Sequence, residues 1–204
     1  DCFEERLIYT MKKIWPFSFY FLYYAAMSSF IPFIVLFYQE LKFSGAQIGL
    51  LAGIPPLITL ISGPFLAGVA DAKRRHRLIM SLGIIIAVVG TLIMQWMTVF
   101  FIILLLVVVI QFFLSPVMSL ADSATMMMLG QEKSMYGRIR LGGSIGWAVL
   151  APIAGLLVDN YGLKITFWSF SILMFINVLV SQKVVHDVPQ HTTTENHGVR
   201  FFLT

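Results

Sequence analysis

The longest apolar stretch of the chain runs from Leu78 to Ala121 without a charged residue. As one α-helix it would be about 66 Å long, twice the roughly 30 Å of a bilayer's hydrocarbon core. Two membrane-spanning helices are therefore predicted here. The break between them is placed at Gln95-Trp96-Met97-Thr98, where polar side chains and a tryptophan typical of the membrane interface cluster.

Four further apolar runs have the length of a membrane span, so the pattern predicts six transmembrane helices. They are placed near residues 15–38, 48–70, 78–95, 99–121, 141–158 and 165–184. The runs are continuous rather than alternating between apolar and polar positions, which argues against a transmembrane β-barrel. The predicted fold class is an all-α membrane protein, in which each helix satisfies its own backbone groups.

Composition agrees with this class, because 58% of the 204 residues are hydrophobic and only 12% are charged. A cytoplasmic amino end places on the inside Lys12, Lys13, residues 73–77, Lys133, Arg138, Arg140 and Lys183. Only Lys42 and Lys164 then lie outside. The asymmetry predicts a multi-pass protein of the cytoplasmic (inner) membrane, with residues 1–14 as a cytoplasmic N-terminal segment. The net charge of +4 then reflects topology, so no nucleic-acid partner is predicted.

A weak internal symmetry divides the six spans into two sets of three. Residues 67–71 end the second span and residues 155–164 end the fifth, and both stretches have small residues followed by an aspartate and a basic residue. In the predicted topology the first stretch is cytoplasmic and the second is external. An inverted-topology repeat requires this arrangement, so a 3+3 inverted repeat is predicted.

The polar residues of the fourth span share one helical stripe. They are Gln111, Ser115, Ser119 and Asp122, separated by four, four and three positions. Such a stripe is expected to face protein or water rather than lipid. For the three uncharged residues two interpretations stay open, namely hydrogen bonding between packed helices and lining of a solute cavity.

Asp122 is a stronger candidate, because a charged side chain inside a membrane costs about 2.5–3.5 kcal/mol on insertion scales unless it is paired or hydrated. Arg140 opens the next span on the same side, and Ser144 follows one turn later. An ion pair between Asp122 and Arg140 is therefore predicted; the alternative is that Asp122 only caps its helix at the interface. Tyr20 and Tyr24 on the first span offer aromatic walls, although tyrosine is also common at membrane interfaces.

Three stretches resemble a known family. They are residues 63–71 with the basic block that follows, residues 121–124 (Ala-Asp-Ser-Ala), and residues 136–146, which open the fifth span. They resemble, in that order, the loop between helices two and three, the end of helix four and the start of helix five of the major facilitator superfamily. The similarity is greatest to its lactose permease-like and phenylpropionate or nucleoside permease-like proton symporters.

The resemblance implies that the chain is the N-terminal six-helix half of a twelve-helix carrier, with the C-terminal half missing. Residues 185–204 would begin the cytoplasmic central linker and the lip of helix seven. The implied function is secondary active transport by alternating access, with proton symport of a small organic solute such as a sugar, nucleoside or aromatic acid. The candidate solute- and proton-binding residues are Asp122, Arg140, Gln111, Ser115, Ser119, Tyr20, Tyr24 and Ser144.

By the same resemblance, the loop after the second span is a gating element, with candidate residues Asp71, Lys73, Arg75 and Arg77. Asp71 is expected to accept hydrogen bonds from helix ends or to pair with a basic neighbour in the loop. The family has glycine where Ala67 and Arg74 stand here. It has a bulky aromatic residue in place of Gly142, which predicts a void beside helix five.

Two other classes of function are alternatives to transport. The chain could be a non-transporting six-helix structural or assembly protein. It could also be an intramembrane serine protease using Ser144, but all four histidines, His76, His186, His191 and His197, lie in loops or the tail. A serine nucleophile needs a base within hydrogen-bond reach, so no enzyme is predicted. The single cysteine, Cys2, supports neither a disulfide nor a cysteine metal site, and no cofactor or metal is expected.

Overall fold

The computed structural model describes residues 2–73 and 75–186, with side chains for residues 14–73 and 75–184. This part of the chain folds into six α-helices and one short 3₁₀ turn, with no strand among the described residues. The helices are α1 (Cys2–Glu40), α2 (Gly45–Lys73), α3 (His76–Met94), α4 (Phe100–Leu129), α5 (Tyr136–Tyr161) and α6 (Lys164–His186), and the 3₁₀ turn at Lys133–Met135 precedes α5.

All six helices are long and apolar enough to cross a membrane, which confirms the predicted class of fold. Large apolar side chains cover the outer surface, and those of Leu60, Ile61 and Phe101 are each at least 75% exposed. A soluble protein rarely exposes so much apolar surface, whereas a bilayer accommodates it. The chain is therefore an integral, multi-pass membrane protein.

Several helices run beyond the predicted spans. The helix α4 continues to Leu129 rather than ending near residue 121, and α5 begins at Tyr136 rather than near 141. The residues from 2 to 13, predicted to precede the first span, belong to α1. The length of an apolar run predicts only the part of a helix that lies in the hydrocarbon, so polar helix ends are missed. Residues 2–13 contain no glycine or proline that would end a helix. The predicted linker and the lip of helix seven fall mostly in residues 187–204, which lie outside the described residues.

Local sequence signals explain where the helices meet. Ser44 and Gln47 form a capping box at the start of α2, in which each side chain accepts a backbone N–H bond from the other residue, at 3.3 and 2.9 Å. Gly130 and Gly162 follow α4 and α5 with φ angles of 52° and 78°. Glycine adopts such left-handed backbone without steric cost, so both helices end there.

The packing of the helices follows the predicted repeat. The helix α1 packs extensively on α5 and α6, while α4 packs extensively on α2 and α3, and α3 contacts α6. In a 3+3 repeat, α1 corresponds to α4, α2 to α5 and α3 to α6. The contact of α1 with α5 then corresponds to that of α4 with α2, and the contact of α1 with α6 to that of α4 with α3. The contacts are thus those of a 3+3 repeat, as half of a major facilitator fold requires.

Glycines bring α1 and α5 into backbone contact. A Cβ atom added at Gly142 would lie 2.7 Å from the carbonyl oxygen of Phe17, and one at Gly146 would lie 2.3 Å from that of Phe21. Glycine pairs spaced in this way let membrane helices approach closely. The predicted void beside Gly142 was therefore wrong, because the backbone of α1 occupies the space that an aromatic side chain would fill.

Proline residues lie inside four of the six helices. They occur inside α1, α2, α4 and α5, at Pro16, Pro32, Pro55, Pro56, Pro64, Pro116 and Pro152. Each one removes an internal backbone hydrogen bond and favours a bend. The helices α3 and α6 contain none over their described length.

Candidate functional site

An ion pair joins α4 to α5 inside the helix bundle. A side-chain nitrogen of Arg140, Nη1, donates to Oδ2 of Asp122 at 2.8 Å. The pair is half-buried, with 41% of the Arg140 side chain and 31% of the Asp122 side chain exposed. The predicted contact between these two residues is therefore present. The long α4 carries Asp122 past the apolar run, to the level where α5 begins.

Two tyrosines flank the ion pair. The hydroxyl of Tyr20 on α1 donates to Oδ1 of Asp122 at 2.6 Å and lies 3.3 Å from the Thr125 hydroxyl. The hydroxyl of Tyr136 accepts a 2.6 Å hydrogen bond from Nη1 of Arg140. The Arg140 guanidinium also lies 5.9 Å from the centroids of both rings, within the range of a cation–π contact. Both oxygens of Asp122 are therefore engaged.

An open cavity of about 350 Å³ adjoins the ion pair. Its lining residues are Tyr24, Arg140, Gly143, Ser144 and Trp147. Four of these residues come from consecutive turns of α5, and Tyr24 comes from α1. The volume lies at the lower end of the range for small-molecule sites, which combine apolar walls with a few polar groups. The cavity thus holds three of the predicted residues, namely Tyr24, Arg140 and Ser144.

Two residues of the α4 stripe lie against α2 instead. The amide nitrogen of Gln111 donates to the Thr59 hydroxyl at 2.6 Å, and the Ser115 hydroxyl lies 2.8 Å from that of Ser62. The Ser119 hydroxyl donates to the backbone oxygen of Pro116 in its own helix, at 2.9 Å. For Gln111 and Ser115 these contacts favour hydrogen bonding between packed helices. None of the three is among the residues that line the cavity.

The predicted gating loop is largely helical, because α2 continues to Lys73 and α3 begins at His76. Of its four candidate residues, only Arg75 lies between the two helices. Nε2 of His76 lies 2.6 Å from Oδ1 of Asp71, so Asp71 pairs with a basic neighbour as expected. Nε of Arg77 donates to the side chain of Gln182, which in turn donates to Ser81. This network ties the start of α3 to the end of α6. Lys73 and Arg75 are exposed, and Arg74 lies outside the described residues.

A family model described as "MFS_1 like family" matches residues 14–201 of the chain. The chain belongs to the major facilitator superfamily. It is 27% identical to the maltose permease of Geobacillus stearothermophilus over 164 residues, which cover 80% of this chain and 41% of the permease. It is 30% identical over 160 residues to the multidrug resistance protein MdtG of Yersinia enterocolitica, covering 74% of this chain and 38% of that protein.

A second MdtG, from Salmonella dublin, is 30% identical over 171 residues, which cover 80% of this chain and 42% of that protein. The chain thus spans about two fifths of the length of these curated relatives. Membership of the major facilitator superfamily confirms the predicted family and rejects the intramembrane protease. Among the described residues, no group of three or more metal-ligating side chains could hold an ion.

Three residues around the ion pair and the cavity were not identified from the sequence, namely Thr125, Tyr136 and Gly143. Tyr136 precedes Arg140 by four positions, so helical spacing alone could have identified it. The spacing of Arg140, Ser144 and Trp147 does predict one stripe of α5, and all three line the cavity. The contact between Tyr20 and Thr125 joins residues 105 positions apart. The helices α1 and α4 are not among the closely packed pairs, so these two side chains meet only through the arrangement of the whole bundle, which no local pattern reports.

Proposed function

We propose that the chain is one half of a transporter that moves a small organic solute through the cavity beside Arg140. The observation that carries this proposal is the half-buried ion pair of Asp122 and Arg140 at the edge of an open cavity with aromatic walls. A structural protein gains little from such a pair, because membrane-embedded charges are costly and usually mark a solute or ion path.

The arrangement of donors indicates the chemistry of the solute. Arg140 donates to Asp122 and to Tyr136 through the same nitrogen, Nη1. Neither Nε nor Nη2 donates a hydrogen bond to another described residue. Those donors are available to the hydroxyls or carboxylate of a solute. The ring faces of Tyr24 and Trp147 suit the apolar faces of sugars, nucleosides and aromatic acids. A sugar is also what the name of the maltose permease assigns to that relative.

Transport by this half requires a second wall. The relatives are more than twice as long as the matched segment, which leaves room for a C-terminal half that closes the cavity from the opposite side. Alternating access then follows from rocking of the two halves around a fixed site. We propose proton symport with Asp122 as the proton-carrying group, since it is the carboxylate bonded to the cavity-lining arginine.

Trp147→Ala provides the test of the proposed cavity. In proteoliposomes of the full-length protein, uptake of radiolabelled maltose, uridine and phenylpropionate is measured under an imposed pH gradient. For the probe that wild type transports, the variant should lose about tenfold or more, because a stacking aromatic contributes about 1–3 kcal/mol. The matched control is Trp168→Ala on α6, where the tryptophan is 46% exposed but does not line the cavity.

The two tryptophan variants separate the candidate functions. Uptake lost in Trp147→Ala and retained in Trp168→Ala supports a solute site at this cavity. Equal uptake in both variants would remove Trp147 from the path. Absence of uptake of all three probes by wild type would favour the alternative of a six-helix structural or assembly protein.

We also propose that the junction between α2 and α3 gates transport through Asp71, which lies in the last turn of α2. Asp71→Asn preserves the shape of the side chain and removes the charge that faces His76. It should slow turnover several-fold and leave equilibrium solute binding unchanged, because Asp71 does not line the cavity. Stopped-flow uptake and equilibrium binding measure the two quantities separately. Unchanged turnover would leave the loop with a topological role only.

The proposed location is the cytoplasmic (inner) membrane, with the amino end in the cytoplasm. The support is the distribution of basic residues, most of which lie on the side of Arg75 and Lys133. With Cys2 replaced, an impermeant thiol reagent applied to intact cells should label a cysteine at position 42 and spare one at position 75. The reverse labelling pattern would invert the orientation.

A further inference from the structure

Gly143 lies against the ring of Tyr24 at the wall of the cavity. A Cβ atom added at Gly143 would lie 2.4 Å from Cδ2 and 2.9 Å from Cε2 of Tyr24. Both distances are too short for carbon atoms, which pack at about 3.5–4.0 Å. Both residues also line the cavity. The ring of Tyr24 therefore occupies its present place only because position 143 has no side chain.

The surrounding contacts limit how the molecule could accommodate a larger residue at position 143. The backbones of α1 and α5 already touch at Gly142 and Gly146, one on each side of Gly143 along the helix. On α1, the neighbouring Tyr23 is 8% exposed and packs edge-on against Tyr24, with ring centroids 5.7 Å apart. A side chain at 143 would thus displace the Tyr24 ring, and the open space beside that ring is the cavity.

We infer that Gly143 sets the width of the cavity, and hence the size of the solute, by allowing the ring of Tyr24 to lie close against α5. This assignment rests on the proposed transport function for its biological meaning. Gly143 has no side chain of its own to contact a solute, so its effect on the cavity is exerted through the ring of Tyr24. A methyl group at 143 narrows the cavity while leaving the ion pair of Asp122 and Arg140 in place.

A thiol reporter measures the width without any transport. In the full-length protein with every native cysteine replaced by serine, Cys2 among them, Ser144→Cys places one thiol at the cavity wall. Its labelling rate is measured with small methyl methanethiosulfonate and with bulky fluorescein maleimide. Gly143→Ala should lower the rate with the bulky reagent about tenfold and change the rate with the small one less than about twofold. The displaced ring of Tyr24 takes up space that only the bulky reagent needs, and pushing it back against the added methyl group costs free energy.

Two further variants make the result specific. Gly155→Ala adds the same methyl group to α5 where nothing lies within 4 Å, and both labelling rates should stay unchanged. Tyr24→Ala combined with Gly143→Ala should restore labelling by the bulky reagent, because the displaced ring is gone. A bulky-reagent rate that is unaffected by Gly143→Ala, or one that Tyr24→Ala does not restore, would overturn the assignment. Loss of uptake by wild type would contradict the proposed function and leave this labelling result intact.

Discussion

Asp122→Asn or Arg140→Gln should each lower uptake by the full-length carrier about hundredfold or more, as misplacing a binding group can do. Each substitution leaves the other charge in a membrane span without its counter-ion. Tyr20 and Tyr136 remain as hydrogen-bond partners, but neither supplies a charge. Exposed pairs contribute below about 1 kcal/mol, and breaking buried ones costs about 3–5 kcal/mol. For this half-buried pair we expect each single variant to lose about 2 kcal/mol of unfolding free energy.

The double variant distinguishes an ion pair from two independent residues. Asp122→Asn with Arg140→Gln leaves no charge uncompensated, so most of the unfolding free energy should return while uptake stays absent. Denaturation in detergent and uptake in proteoliposomes measure the two quantities. Asp159→Asn, the same change at an exposed carboxylate in the fifth helix, serves as the control. If the double variant loses as much unfolding free energy as the two single variants together, the pairing is contradicted. Near-normal uptake by either single variant would show that the ion pair is not part of the solute site.

Gly146→Ala should destabilise the bundle by about 3 kcal/mol, the upper part of the usual range for overpacking a core. The added Cβ would lie 2.3, 3.0 and 3.1 Å from the O, C and Cα atoms of Phe21. All three are backbone atoms of α1, so no side chain can rotate to make room. The two helices would have to separate, and with them the residues that bring Tyr20 and Tyr24 to the site.

Gly155→Ala is again the matched comparison, because it lies in the same helix and in open surroundings. Alanine is favoured over glycine in helices by about 1 kcal/mol, so this variant should be neutral or slightly more stable. The midpoint and slope of denaturant unfolding in detergent report the difference. Equal stability of Gly146→Ala and Gly155→Ala would show that the α1–α5 contact relaxes without cost.

Much of the fold is readable from charge and apolar length. The run from Leu78 to Ala121 is too long for one helix and too apolar for a loop, so its division into α3 and α4 follows from bilayer thickness. The pairing of Asp122 with Arg140 follows as well, because one ends a span and the other opens the next on the same side. Neither argument needs knowledge of which helices touch.

The sequence is least informative where the partner helix decides the outcome. The spacing of Gln111 and Ser115 identifies a polar face of α4, but it does not tell that Thr59 and Ser62 of α2 lie opposite. The prediction of a void at Gly142 assumed that only another side chain could fill the space, whereas the backbone of α1 fills it. The periodicity of a sequence describes one helix at a time, whereas each of these contacts joins two helices.

The distribution of prolines divides the helices of the bundle into two groups. The helices α1, α4 and α5, which carry the ion pair, its tyrosines and the cavity, all contain proline, as does α2 beside them. The helices α3 and α6, which pack on each other, contain no proline over their described length, so none of their internal hydrogen bonds is lost to one. Under the same load, we expect the helices around Arg140 to bend first and α3 and α6 to resist bending.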